Sequence, residues 1–252
     1  QGNYLIISHP TLNVGTGGRK PIDEYRDYRN SALGGGYKAI SVDVDEINDQ
    51  FAFGINKHPL TVRNFVRFAR ANFAQPLNHV FIIGRGMTYL EYRIHPGDSM
   101  AEKLNIVPTF GYPGSDNLLS SVNVNACIPE TSIGRLSVVT GSEVENYLEK
   151  VREYETVQRS ASNTVSQRGW MKNLAQVTGA SDPYLGTILC NYMGVYKGIA
   201  ADTSWGANVS TFCKLSATNQ DQQNSLLLKQ QIEEGISALT YFGHSSATTL
   251  DF

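Results

Sequence analysis

Cysteine is scarce in this sequence. Only Cys127, Cys190 and Cys213 occur in 252 residues. An odd count with no CxxC pair and no Cys/His cluster argues against a disulfide framework and against a zinc site. Histidines are few, and none falls at HxH or HxxxH spacing, so a transition-metal centre is not expected. Charge is also short: Asp, Glu, Lys and Arg make up 17%, against about 25% in an average globular chain. The 21 basic and 23 acidic residues nearly cancel to a net charge of −2, which leaves no electrostatic footprint for nucleic acid or an anionic bilayer. No apolar run approaches the ~20 residues of a membrane helix. Gln1-Gly2-Asn3 has no basic segment and leads straight into apolar residues, so no signal peptide is expected, and an exported parent would make this a mature or excised piece.

What is present is enough hydrophobic residue, 41%, for a real core. The length suits one large domain or two small ones. Apolar residues alternate between short strand-like runs and amphipathic helical stretches. Tyr4–Ile7, Tyr37–Val44 and Val80–Ile83 read as strands. Between them, Pro21 opens a helix that runs through Tyr25 and Tyr28 to Gly34-Gly35-Gly36, read as its C-cap. Pro59 reads as the first residue of a helix whose apolar face is Val62, Phe65, Val66 and Ala69. This β-α-β-α-β order predicts a parallel sheet covered by helices on both faces.

A second cycle follows, with a strand at Ile133–Leu136 and a helix that Ser142 and Glu145 would start as a capping box. Residues 156–169 are polar and almost without aliphatic side chains, which predicts a boundary there and subdomains over 1–158 and 159–252. Beyond it come a strand at 174–178, a helix at 184–196, a strand at 208–215 and a helix through Leu227, Leu228 and Ile232 to Gly235. The uncharged run Ile236–Phe242 reads as a central, buried strand that delivers Gly243-His244-Ser245-Ser246.

His244 is the most informative ionisable residue. The carboxyl ends of parallel strands are where ligands and catalytic groups gather. An imidazole there, at the mouth of a cleft, is suited to general base work; the structural alternative is a histidine that satisfies loop carbonyls. His9, His58 and His95 each precede a proline and read as structural, as does His79 at a strand start. Gly15-Thr16-Gly17-Gly18 and Gly84-Arg85-Gly86 lack a P-loop lysine or the third glycine of a dinucleotide fingerprint. Asp43, Asp45, Glu46 and Asp49 read as an acidic helix start, with calcium as a structural ion the other reading of the same oxygen-rich cluster. Cys190 and Cys213 read as small buried hydrophobes.

Several stretches, taken in order, resemble the gingipain-like cysteine peptidases. They are Val107-Pro108-Thr109 with Ser115-Asp116, Ile128-Pro129-Glu130 with Ile133-Gly134-Arg135-Leu136, the helix end Tyr154-Glu155, and Tyr241-Phe242-Gly243-His244. Glu46–Phe51 and Gly54–Phe65 resemble the branch that serves type IX secretion as a sortase. The resemblance implies a three-layer, mostly parallel α/β fold made of two caspase-like subdomains, the second incomplete at its C-terminus. It implies a thiolate mechanism with His244 as the base and Ser245, standing where the family has glycine, donating a backbone N–H to the oxyanion. Asp182 is the candidate orienting acid, and Arg85 stands where relatives have aspartate. The nucleophilic cysteine is expected a few tens of residues after the histidine, beyond Phe252. No cofactor is required. The implied partners are protein or peptide substrates, namely C-terminal signal regions of exported proteins, together with outer-membrane secretion components, at a bacterial cell surface. The rival reading is a scaffold that kept the fold and lost the chemistry.

Overall fold

The computed structural model describes residues 2–123, 128–215, 222–245 and 250–252. They separate into two compact units, Gln1–Glu155 and Thr156–Phe252.

The first unit carries four strands, β1 (Tyr4–Ser8), β2 (Ala39–Asp43), β3 (His79–Ile83) and β4 (Ser132–Leu136), in the order β2-β1-β3-β4. Every pairing is parallel, with Ile6 opposite both Ser41 and Phe81. Strand β1 is apolar on both faces because both are covered. Leu5, Ile7, Val80 and Ile82 pack against the helices α2 (Val44–Phe51) and α3 (Thr61–Asn72) through Ile47, Val62, Phe65, Val66 and Ala69. On the opposite face Ile6 and Ile83 meet Tyr25 and Tyr28 of α1 (Pro21–Asn30) and Val144 and Leu148 of α7 (Gly141–Ser160). The alternation of a two-sided strand thus fixes a helix–sheet–helix sandwich, as the chain order predicts. Between β3 and α7 lie three short helices, α4 (Tyr89–Arg93), α5 (Ser99–Leu104) and α6 (Asn117–Ser120).

In the second unit β5 (Asn173–Gly179), β6 (Asn208–Cys213) and β7 (Ala238–Gly243) form a parallel sheet in the order β6-β5-β7. Its helices are α8 (Val165–Arg168), α9 (Pro183–Ala200) and α10 (Gln222–Glu234). Leu174 and Val209 pack with Ala200 of α9, while Ala175, Val177 and Phe212 pack with Leu228 of α10.

Five expectations need correction. Helix α1 stops at Asn30, because Ser31 turns extended and its N–H caps the carbonyls of Asp27 and Tyr28; Gly35, at φ 110°, closes a separate 3-10 turn. Pro59 lies two residues before Thr61, the first residue of α3. Helix α7 is opened by a Thr140–Glu143 box, in which the Glu143 carboxylate accepts the Val139 and Thr140 N–H groups, and not by Ser142 and Glu145. Glu145 is instead buried and accepts the Thr16 N–H at 2.8 Å. Strand β7 is an edge of the described sheet, with Leu239 and Phe242 exposed, and β5 holds the centre. An uncharged run is compatible with either place, since lack of charge does not specify what covers a strand. Finally, Cys190 and Cys213 form a disulfide, with their Cα atoms 5.7 Å apart, that ties α9 to the end of β6. An odd cysteine count excludes complete pairing but not a single bridge, and the packing of α9 on β6 closes a sequence gap of 23 residues.

Candidate active site

The carboxyl edge of the second sheet is built on a glycine pair. Gly179 ends β5, Gly243 ends β7, and the two are register partners. A Cβ on Gly243 would lie 2.2 Å from the Gly179 carbonyl oxygen and 2.6 Å from its nitrogen. Only glycine allows two backbones to run this close. A Cβ on Gly179 would likewise meet the Asp251 carbonyl oxygen at 2.0 Å and the Tyr241 hydroxyl at 2.2 Å.

His244 follows directly, and its backbone is held on both sides. Its N–H donates to the Gly179 carbonyl at 3.0 Å, and its own carbonyl accepts the Asp251 N–H at 3.0 Å and the Tyr241 hydroxyl. Burial raises the Tyr241 phenol above its ordinary value, so it stays a donor. Asp251 in turn pairs with Lys214 at 2.5 Å, and Lys214 is buried after β6. The imidazole itself is exposed and has no hydrogen-bond partner among the described residues. Ser245 is exposed and bridges to Leu250. A backbone fixed on both sides sets the pivot of the ring, which a proton-transfer residue needs.

Asp182 belongs to the same edge, following β5 as His244 follows β7. Its carboxylate accepts the Tyr184 N–H at 3.0 Å and caps α9, and no hydrogen bond joins it to His244 among the described residues. Asp251 was missed by sequence reading, since its proximity to His244 comes from a local antiparallel bridge that no motif announces. Cys190 and Cys213 are spent in the disulfide; Cys127 lies outside the described residues.

In the first unit the motif residues converge on Arg135. Its guanidinium makes a two-pronged pair with Asp116 at 2.7 and 2.8 Å and donates to the carbonyls of Gly84 at 2.7 Å, Val107 at 2.6 Å and Pro108 at 3.3 Å. The Thr109 hydroxyl completes the Asp116 carboxylate at 3.0 Å. These residues are thus a structural clasp that fixes the segment between β3 and β4 against β4. Nearby, the Thr11 N–H donates to His9 Nδ1, which leaves the proton on Nε2, 3.0 Å from Asp45 Oδ2. Asp43 caps α2 through the Asp45 N–H. Two of the four acidic residues are thus engaged, Asp43 as a cap and Asp45 by a histidine. Among the described residues no three His, Cys, Asp or Glu side chains converge as a metal site.

Parallel sheets flanked by helices place this chain in the α/β class, in which the carboxyl edges of strands are the usual place for ligands. The chain belongs to peptidase family C25, the gingipain family, whose sequence model matches residues 1–252. Two solved structures are similar, both at 12% identity, a TM-score of 0.47 and 98% coverage of this chain. One is the complex of the Porphyromonas gingivalis RgpB pro- and mature domains, of which 43% is covered. The other is the Arg-specific cysteine proteinase gingipain R (RgpB), of which 42% is covered. The chain therefore spans less than half the length of these structures. Comparison with curated proteins gave no match.

Proposed function

We propose that the protein is a cysteine peptidase that works by acyl transfer, with His244 as general base. The observation that carries this reading is an exposed imidazole at the carboxyl end of β7, on a backbone pinned by Gly179 and Asp251. His244 takes the thiol proton, and the thiolate adds to the substrate carbonyl. Backbone N–H groups, that of Ser245 among them, hold the oxyanion. The imidazolium then protonates the departing amine, leaving a thioester that passes to water or to an incoming amine. The same site thus serves hydrolysis and ligation. The nucleophile is neither Cys190 nor Cys213, which are bonded to each other; on the family resemblance we assign this role to a cysteine beyond Phe252. We extend the reading to a surface enzyme of the sortase type that acts on C-terminal signal regions of exported proteins, supported by family membership and by the resemblance of Glu46–Phe51 and Gly54–Phe65.

One observation favours the inactive scaffold instead: the Asp182 carboxylate is engaged as a helix cap. The test is a peptidyl electrophile applied to the protein at its full encoded length, with adducts mapped by mass spectrometry. An adduct on a cysteine after Phe252, abolished by His244→Gln, is expected. An adduct on Cys127 contradicts the nucleophile assignment, and a folded protein with no adduct supports the scaffold.

A further inference from the structure

Within the first unit, the loops after α2 and β3 line an open cavity of about 800 Å3, inside the range of small-ligand sites. All its lining residues belong to the first unit, and nothing in the peptidase reading uses it. Its walls are mostly apolar and aromatic, among them Ile55, Leu60, Tyr89, Tyr92 and Phe110. Tyr89 and Ile55 are each half exposed, at 52% and 53%.

The charges around this cavity are unequal in their pairing. Lys57 is satisfied three ways: it ion-pairs with the Glu102 carboxylate, donates to the Glu102 carbonyl at 2.7 Å, and sits 5.4 Å from the centre of the Tyr92 ring. Its backbone is held at φ 54°, a conformation that costs a non-glycine residue energy and persists only where the surroundings enforce it. Glu102 also accepts the Tyr92 hydroxyl, and the lysine and tyrosine together keep its carboxyl below the usual range. This corner is electrically closed. The His58 Nδ1 accepts the Leu60 N–H. Arg93, at the end of α4, is different. It lines the cavity, is exposed, and has no hydrogen bond or ion pair among the described residues. Among the described residues, the aromatic cavity is thus left with one uncompensated charge, a guanidinium suited to two-pronged binding of a carboxylate.

We propose that this cavity binds an apolar monocarboxylate, its aromatic or branched aliphatic body against Tyr89 and Phe110 and its carboxylate on Arg93. The ligand is either a free acid or the C-terminal carboxylate of a peptide; both present the same chemistry. The Lys57–Glu102 pair also lines the cavity and, being mutually satisfied, offers no second free cation.

The test is calorimetric titration of the 252-residue chain with N-acetyl-phenylalanine, its amide, and a tetrapeptide ending in phenylalanine as free acid or amide. Each acid that binds is expected to do so at least about tenfold more tightly than its amide. Arg93→Gln should abolish that difference without lowering the melting temperature. Tyr89→Ala should weaken acid and amide together. Discrimination by the peptide alone identifies a chain terminus as the ligand, and discrimination by N-acetyl-phenylalanine as well identifies a free acid as sufficient. The proposal is overturned if no acid binds at about 10 mM, if acid and amide bind equally, or if Arg93→Gln leaves the preference intact. Because peptide cleavage is not the readout, a failure here leaves the His244 assignment standing, and the reverse holds as well.

Discussion

Gly179 and Gly243 end two neighbouring parallel strands as register partners, and the His244 N–H reaches back to the Gly179 carbonyl at 3.0 Å. The position of the candidate base is therefore set by the absence of two side chains. A methyl group on Gly243 would sit 2.2 Å from the Gly179 oxygen, and backbone, unlike the end of a flexible side chain, moves only at a cost. Gly243→Ala is expected to destabilise the second unit by about 1–3 kcal/mol, read by urea denaturation, and to lower His244-dependent turnover even where the fold survives.

Arg135 is expected to be the most sensitive residue of the first unit. Arg135→Met would strip the Asp116 carboxylate of both prongs and leave three loop carbonyls short of a donor. Breaking a largely buried pair in this way typically costs about 3–5 kcal/mol. Double substitution with Asp116→Leu should recover part of the loss, since it removes the stranded charge. A single variant as stable as the native chain would show that the clasp is not structural.

The Cys190–Cys213 bridge closes a 23-residue separation. The chain-entropy account of such a loop gives about 3 kcal/mol. Cys190→Ser with Cys213→Ser should lower stability by that order, and intact mass under native conditions should show the thiols blocked to alkylation until a reductant is added.

Glu143 supplies a pH test. Its carboxyl is held below the ordinary value chiefly by the Val139 N–H, with the Thr140 hydroxyl and N–H adding to it. A carboxyl depressed in the folded state contributes stability that is full above its unfolded value and is lost as pH falls through the folded one. Glu143→Gln should flatten that acid-side decline, and Glu143→Ala should cost about 0.5–1 kcal/mol near neutrality. Equal acid sensitivity in the native and Gln chains would remove Glu143 from the account.

Much of the architecture was legible because β1, β2 and β3 carry apolar side chains on both faces, which only a sheet covered twice requires. Helix ends were less legible. Ser31, not the triple glycine, stops α1, and Thr140 outcompetes Ser142 as the cap of α7 because Glu143 stands three residues after it. The edge position of β7 was hidden, since an uncharged strand has the same composition whether or not another strand lies beside it. Contacts between residues distant in sequence left no local trace: the His9–Asp45 pair and the disulfide are products of topology. The motifs around Arg135 were visible, but their role was not, because an arginine near aspartate reads equally as a binding group or as a brace.

The most direct measurement is kcat/KM on a peptide substrate for the protein at its full encoded length, native against His244→Gln. Removal of a positioned general base typically costs about 10²–10⁴ in rate, and a fall of that size with an unchanged melting curve is the expected result. Because the His244 backbone is held by main-chain bonds to Gly179 and Asp251, the substitution should not disturb the edge of the sheet. Turnover within a few-fold of native in a folded His244→Gln protein would contradict the assignment of His244 as the base.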